Sequence, residues 1–143
     1  SYLRKVTVTY DLAPDLPFIW GNATELVQIW VNILRNACEA LDGSGTPEPG
    51  IHIGTSAHKR GVEICLANNG PPIPDELLRR LFQPHITTKK GAGSSMGMGL
   101  GLYIIKRLVD SYCGELLVDS KPGLTTFSIR LPLRHEELDL DAC

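Results

Sequence analysis

Residues 97–102 read Gly-Met-Gly-Leu-Gly-Leu, and an apolar-striped helical pattern follows at once. Glycines at alternate positions let a backbone turn with φ > 0 and come close to a ligand. The N-terminus of the helix that follows offers unpaired N–H groups and the positive end of its dipole. Together these features make a cradle for phosphate. A chain carrying one must fold so that a helix begins at a cleft. The glycine run alone is weak evidence, and its meaning depends on what the other segments bring to that cleft.

The 143 residues suffice for one domain with a real core. A net charge of -2 gives no sign of nucleic acid or of an anionic membrane as partner. No apolar run approaches the roughly 20 residues that span a bilayer, and no secretory signal opens the chain. It begins directly with the strand-like Val6-Thr-Val-Thr-Tyr10, as a domain excised from a longer protein would. Cys38, Cys65, Cys113 and Cys143 match no zinc spacing. Cys38 falls in a helical pattern and Cys65 in a strand pattern, and both read as small core residues. A reducing, cytoplasmic setting fits best.

Strand patterns occupy about 4–10, 51–57, 61–67, 115–119 and 125–131, and helical patterns about 23–41, 75–82 and 100–112. Asn22 is a good N-cap for the first helix, with Glu25 three residues on as in a capping box. Asp42-Gly43-Ser-Gly45 ends that helix. Residues 42–50 form a Gly/Pro-rich loop, and 84–98 a longer one without apolar periodicity. A loop of that length in a compact domain is commonly functional or disordered.

The first helix carries two stripes. Leu26, Ile29, Trp30, Ile33, Ala37 and Leu41 form an apolar one, and Glu25, Gln28, Asn32, Asn36 and Glu39 a polar one. Asn competes for backbone hydrogen bonds and is a mediocre helix former. Its carbonyl oxygen is nonetheless a hard ligand suited to Mg²⁺. Taken alone, the stripe reads as a solvated face. Ala67-Asn68-Asn69-Gly70-Pro71-Pro72-Ile73 follows at a strand end, and Thr87-Thr88-Lys89-Lys90 lies in the long loop. Each is weak alone. Hydroxyls and ammonium groups on a loop suit phosphate capture.

Their order is specific. An N-x-x-x-N-A helix, an N-N-G-P strand end, a T-T-K loop, the G-x-G-x-G-L run and the strand Gly123-Leu-Thr-Thr-Phe-Ser-Ile-Arg-Leu-Pro132 occur in sequence. This resembles the catalytic ATP-binding domain of sensor histidine kinases, of the GHKL superfamily, over about residues 4–133. Asn36-Ala-Cys-Glu-Ala-Leu41 is similar to the nitrogen-regulator-like subgroup. The resemblance implies an α+β two-layer sandwich, the Bergerat fold: a mixed, mostly antiparallel five-stranded sheet with three helices on one face. The domain would span 1–134, with a flexible acidic tail at 135–143. ATP and Mg²⁺ are the implied cofactors. Asn36 would bind the metal, Asn32 would help position the phosphates, and Lys89 would approach them from a lid. Asn68 would read the adenine, Gly70 would let the chain pass close to the base, and Ile73, Thr87 and Thr88 would line the nucleotide. Gly97, Met98, Gly99, Leu100, Gly101 and Leu102 would wrap the phosphates, with Thr126 near the adenine-reading residue. The implied partners are a dimerisation domain of the same protein, carrying the phosphoacceptor histidine, and a response regulator. Neither nucleic acid nor membrane contact is expected of this domain.

Several positions depart from the family pattern. Asn68 stands where an Asp is usual; an amide accepts more weakly and can also donate, so ATP binding weakens and discrimination against guanine suffers. Pro72 and Leu124 replace glycines, and His85-Ile86 replace paired aromatics. A lone loop histidine such as His85 reads as a polar residue rather than a base. Hydrolytic members of the superfamily carry a Glu at the position of Asn32, which cannot take a proton. The chain is therefore suited to holding ATP for transfer. Glu39, on the same face, reads as a solvated or supporting residue. His52, His58, His85 and His135 lie in no acceptor-helix pattern, so this segment alone should bind nucleotide without phosphorylating itself. There is no G-x-x-x-x-G-K-[ST], no G-x-G-x-x-G and no protein-kinase motif set. Two alternatives remain open: an anti-sigma-type serine kinase of the same superfamily, and a degenerate nucleotide sensor or docking module.

Overall fold

The computed structural model describes residues 5–59, 61–82 and 96–133, with backbone alone for 96–101. The elements run β1 (Thr7–Asp11), α1 (Ala23–Leu41), β2 (Gly50–His58), β3 (Gly61–Asn68), α2 (Asp75–Arg79), α3 (Met96–Ser111), β4 (Glu115–Lys121) and β5 (Leu124–Pro132). The five strands form one sheet in the order β1-β2-β3-β5-β4. Only β1 and β2 pair in parallel; the other three pairings are antiparallel. The architecture is the mixed, mostly antiparallel sheet expected.

One face of the sheet is apolar. Along β3 and β5, Val62 faces Leu131, Ile64 faces Ile129, Leu66 faces Phe127, and Asn68 faces Thr125. Period-two alternation puts all of these on the same side. The buried stripe of α1 (Ile29, Ile33, Ala37, Leu41) and that of α3 (Leu102, Ile105, Val109) cover it, and Leu77 and Leu78 of α2 pack against the same core. The other face is polar, with Arg130 bridging Glu63 at 3.1 Å and Glu115 at 3.3 Å.

The ends of α1 follow local chemistry. Asn22 Oδ1 accepts from the Glu25 N–H at 3.1 Å, as an N-cap should. The Glu25 carboxylate does not close a direct box. The Tyr112 hydroxyl stands between, accepting from the Asn22 N–H at 2.7 Å and donating to Glu25 Oε1 at 2.9 Å. Burial pushes the Tyr112 phenol up, keeping it a donor. The start of α1 is thereby tied to the end of α3. At the other end, Gly43 and Gly45 sit at φ +70° and +75°, left-handed geometry that stops the helix.

Two boundaries differ from expectation. α2 is shorter, ending at Arg79. α3 begins at Met96 rather than near 100, so Gly97, Gly99 and Gly101 belong to its first turns instead of a left-handed loop. Glycine costs about 1 kcal/mol relative to alanine in a helix. Here the packing of Leu102, Ile105 and Val109 anchors the helix, and the intervening Met and Leu residues are good formers, so the helix extends back through the run.

Candidate functional site

α1 presents its polar stripe beside the C-terminal end of β3. Asn32 is half-buried, its Oδ1 accepting from Arg35 Nη1 at 3.3 Å. Asn36, one turn on, is only 5% exposed. Its Nδ2 is fully buried and has no hydrogen-bond partner among the described residues. Glu39 Oε1, three residues further, is likewise buried and without a partner. Burial pushes the Glu39 carboxyl up, with Arg35 pulling weakly the other way. Buried polar groups are nearly always paired. Two orphans within one turn of one helix face mark a place built for something other than packing.

β3 delivers the second part. Asn68 is 4% exposed, and its Oδ1 accepts from the Gly70 N–H at 2.9 Å. Gly70 lies where a Cβ would stand 3.1 Å from Asn68 Oδ1, 3.2 Å from Leu41 Cδ2 and 3.4 Å from the Ala40 carbonyl. The turn after β3 is thus pressed against the last turn of α1, which brings the Asn68 and Asn36 regions to one side of the sheet. Asn69 is structural: its Oδ1 accepts from the Gly50 N–H at 2.8 Å and its Nδ2 donates to the Glu48 carbonyl at 3.1 Å. The half-buried Ile73 donates its N–H to Ser120 Oγ at 2.8 Å, and Ser120 is bonded to Thr125 Oγ1 at 2.6 Å.

That chain of bonds corrects one expectation. Thr126, expected near Asn68, pairs with Ala67 and lies on the opposite face of the sheet. Its neighbour Thr125, 2% exposed, is the residue opposite Asn68. The signal was present in the sequence, since counting back by two from Phe127 puts Thr125 on the core face. Ser120, paired with Thr125 across β4 and β5, was not singled out at all.

The third part is α3. The N–H groups of its first turn, Met96 to Gly99, have no acceptor within the helix. Leu102 is fully buried, so its side chain serves the core. Nothing is described of the Met98 and Leu100 side chains. Thr87, Thr88, Lys89 and His85 lie outside the described residues.

Among the described residues no three of His, Cys, Asp and Glu gather to hold a metal. Asn36 fits Mg²⁺ differently. Its amide oxygen is a hard donor on a side chain whose Nδ2 no described residue engages, and a single amide oxygen suffices for an ion that takes its other ligands from phosphates and water.

The fold agrees with the comparisons. The model of the histidine kinase-, DNA gyrase B- and HSP90-like ATPase family matches residues 21–135, and the chain belongs to that family. It is 32% identical over 144 residues to the sensory histidine kinase/phosphatase NtrB of Rhizobium leguminosarum bv. phaseoli, covering 92% of this chain and 36% of that protein. It is 34% identical over 151 residues to NtrB of Azospirillum brasilense, covering 95% and 36%. The chain therefore spans little more than a third of the length of these relatives. Among solved structures, the nucleotide-free catalytic domain of histidine kinase ThkA superposes with a TM-score of 0.73 at 26% identity, covering 90% of this chain and 81% of that one.

Proposed function

We propose that the chain is the catalytic domain of a sensor histidine kinase, binding Mg-ATP and transferring the γ-phosphoryl group to a histidine outside residues 1–143. The observation that carries this reading is the buried Asn36 amide, its Nδ2 without a partner among the described residues, on the helix that flanks the Asn68–Gly70 turn. Phosphoryl transfer depends on positioning and charge neutralisation more than on covalent chemistry by the protein. Asn36 would hold Mg²⁺, which supplies charge neutralisation between the phosphates. The N–H groups of the first turn of α3 would bind the phosphate oxygens, and Lys89, Thr87 and Thr88 would approach them from the lid. A relative in structure, ShkA, is described in complex with AMPPNP, which supports an ATP-type ligand in this fold.

The partner that accepts the phosphoryl group is a dimerisation helix of the parent protein, with a response regulator further downstream. His52 is unsuited as acceptor: its Nδ1 lies 2.7 Å from Thr9 Oγ1 on the polar face of the sheet, away from the helices. Asn32, bonded to Arg35, has no basic atom to activate water, which favours transfer over hydrolysis.

Calorimetry with a non-hydrolysable ATP analogue, with and without Mg²⁺, tests binding. Radiolabelled ATP added to the domain plus a separately supplied dimerisation helix tests transfer. Metal-dependent binding and label on the helix, none on the domain, are expected. Label on the isolated domain, or no binding, contradicts the reading.

A further inference from the structure

Asn68 stands in the proposed nucleotide site, and its orientation is set by a neighbour. The Gly70 N–H can only donate, and it lies 2.9 Å from Asn68 Oδ1. Turning the amide over would set an NH₂ against an N–H, two donors face to face, and lose the bond. Gly70 is itself held, since the chain there touches Leu41 and the Ala40 carbonyl at the end of α1. The amide oxygen is therefore committed to the turn. The hydrogen bond of Asn68 to the turn uses the oxygen alone, and the amide nitrogen donates to none of the described residues. It is not a sealed orphan of the kind Asn36 Nδ2 is, and an amide N–H that the turn leaves unused can donate to an acceptor on a ligand.

A carboxylate in the same pose would behave differently. One oxygen would take the Gly70 N–H and the other would accept from an exocyclic amino group on a base. In Asn68 the second atom is a donor. Adenine carries an amino group at C6, which is also a donor. Guanine and hypoxanthine carry a carbonyl there, an acceptor.

We propose that Asn68 reads the base by donating from Nδ2, so that this site takes 6-oxopurine nucleotides at least as tightly as adenine nucleotides. The inference rests on the nucleotide-binding reading above and deepens it. ATP still binds, through its phosphates and through the ring acceptor N1 beside the amino group. What is lost is the preference for it. Matched hydrogen-bonding at a base edge discriminates by roughly tenfold or more, so that is the size of the change at stake.

Inosine triphosphate carries a carbonyl at C6 where ATP carries an amino group, so the pair is the sharpest probe. The native domain and Asn68→Asp are titrated with the Mg²⁺ complexes of ATP, ITP and GTP. The native domain should bind ITP as tightly as ATP or more so. Asn68→Asp should gain about tenfold for ATP relative to ITP. A native preference for ATP over ITP of tenfold or more overturns the inference by itself, whether or not the variant folds. A ratio that the substitution shifts by less than about twofold also overturns it. Binding of no triphosphate by the native domain overturns the nucleotide reading along with the inference, whereas ATP-selective binding removes the inference alone.

Discussion

Replacing Asn36 by leucine should stabilise the nucleotide-free domain while abolishing its metal-dependent binding. Leucine has the same branched outline, with two methyl groups in place of the amide nitrogen and oxygen. Asn36 is 5% exposed and its Nδ2 has no partner among the described residues, so the native protein bears a desolvation cost there. Such an orphaned group costs about 1–3 kcal/mol. Leucine is also a better helix former than asparagine by a few tenths of a kcal/mol. Crowding by the bulkier methyls offsets part of this, since overpacking a full core costs about 1–3 kcal/mol. The site borders a cleft rather than the centre of the core, which puts the crowding at the low end. The net expectation is a gain of about 1–2 kcal/mol. For a domain of this size the melting temperature should rise by roughly 3–6 °C. Urea unfolding read by circular dichroism measures the first effect, and nucleotide titration with Mg²⁺ or with a chelator measures the second. A variant destabilised by more than about 1 kcal/mol would show that Asn36 is a satisfied structural residue. A variant that still bound nucleotide more tightly with Mg²⁺ than without would remove Asn36 from the metal site.

Three further outcomes are expected. Burial raises the Glu39 carboxyl, so the folded state holds this proton more tightly than the unfolded chain. The stability it contributes is fully present below the ordinary glutamate value of about 4.3 and is lost as pH rises through the raised value. Glu39→Gln should remove that loss, and urea midpoints of the two proteins that fall in parallel over this window would refute it. Tyr112→Phe removes both bonds that link Asn22 to Glu25 and should cost about 1–2 kcal/mol of stability, leaving nucleotide affinity little changed; equal denaturation midpoints would show the relay to be idle. Gly70→Ala places a methyl 3.1 Å from Asn68 Oδ1 and 3.2 Å from Leu41 Cδ2, and should cost about 1–3 kcal/mol together with a fall in nucleotide affinity; unaltered stability would mean that the turn shifts freely.

Local chemistry was legible in the sequence wherever a signal and its consequence lie within a few residues. Asn22 caps α1, and the helix runs Ala23–Leu41, as the apolar stripe and the Asp42–Gly45 stop require. The start of α3 was not legible in the same way. Alternate glycines argue for a loop, while Leu102, Ile105 and Val109 argue for a helix, and the weight of the second depends on what those side chains pack against. The Tyr112 relay was hidden because its two partners lie 90 and 87 residues away.

The two threonines of β5 show a different limit. Thr125 and Thr126 are chemically identical, and only strand phase separates them: one residue of slip moves a hydroxyl from the core face to the solvent face. The sheet fixes that phase through the pairing of Phe127 with Leu66 and of Ile129 with Ile64. Asn68 then acquires a buried neighbour, Thr125, whose hydroxyl is engaged by Ser120, and a turn whose Gly70 N–H occupies its oxygen. The sequence identifies an amide at this position but not which end of it the turn occupies. That depends on a neighbouring donor two residues on, held in place by α1. Under the proposed reading, the property that would decide base recognition therefore lies in the arrangement of the turn against the helix.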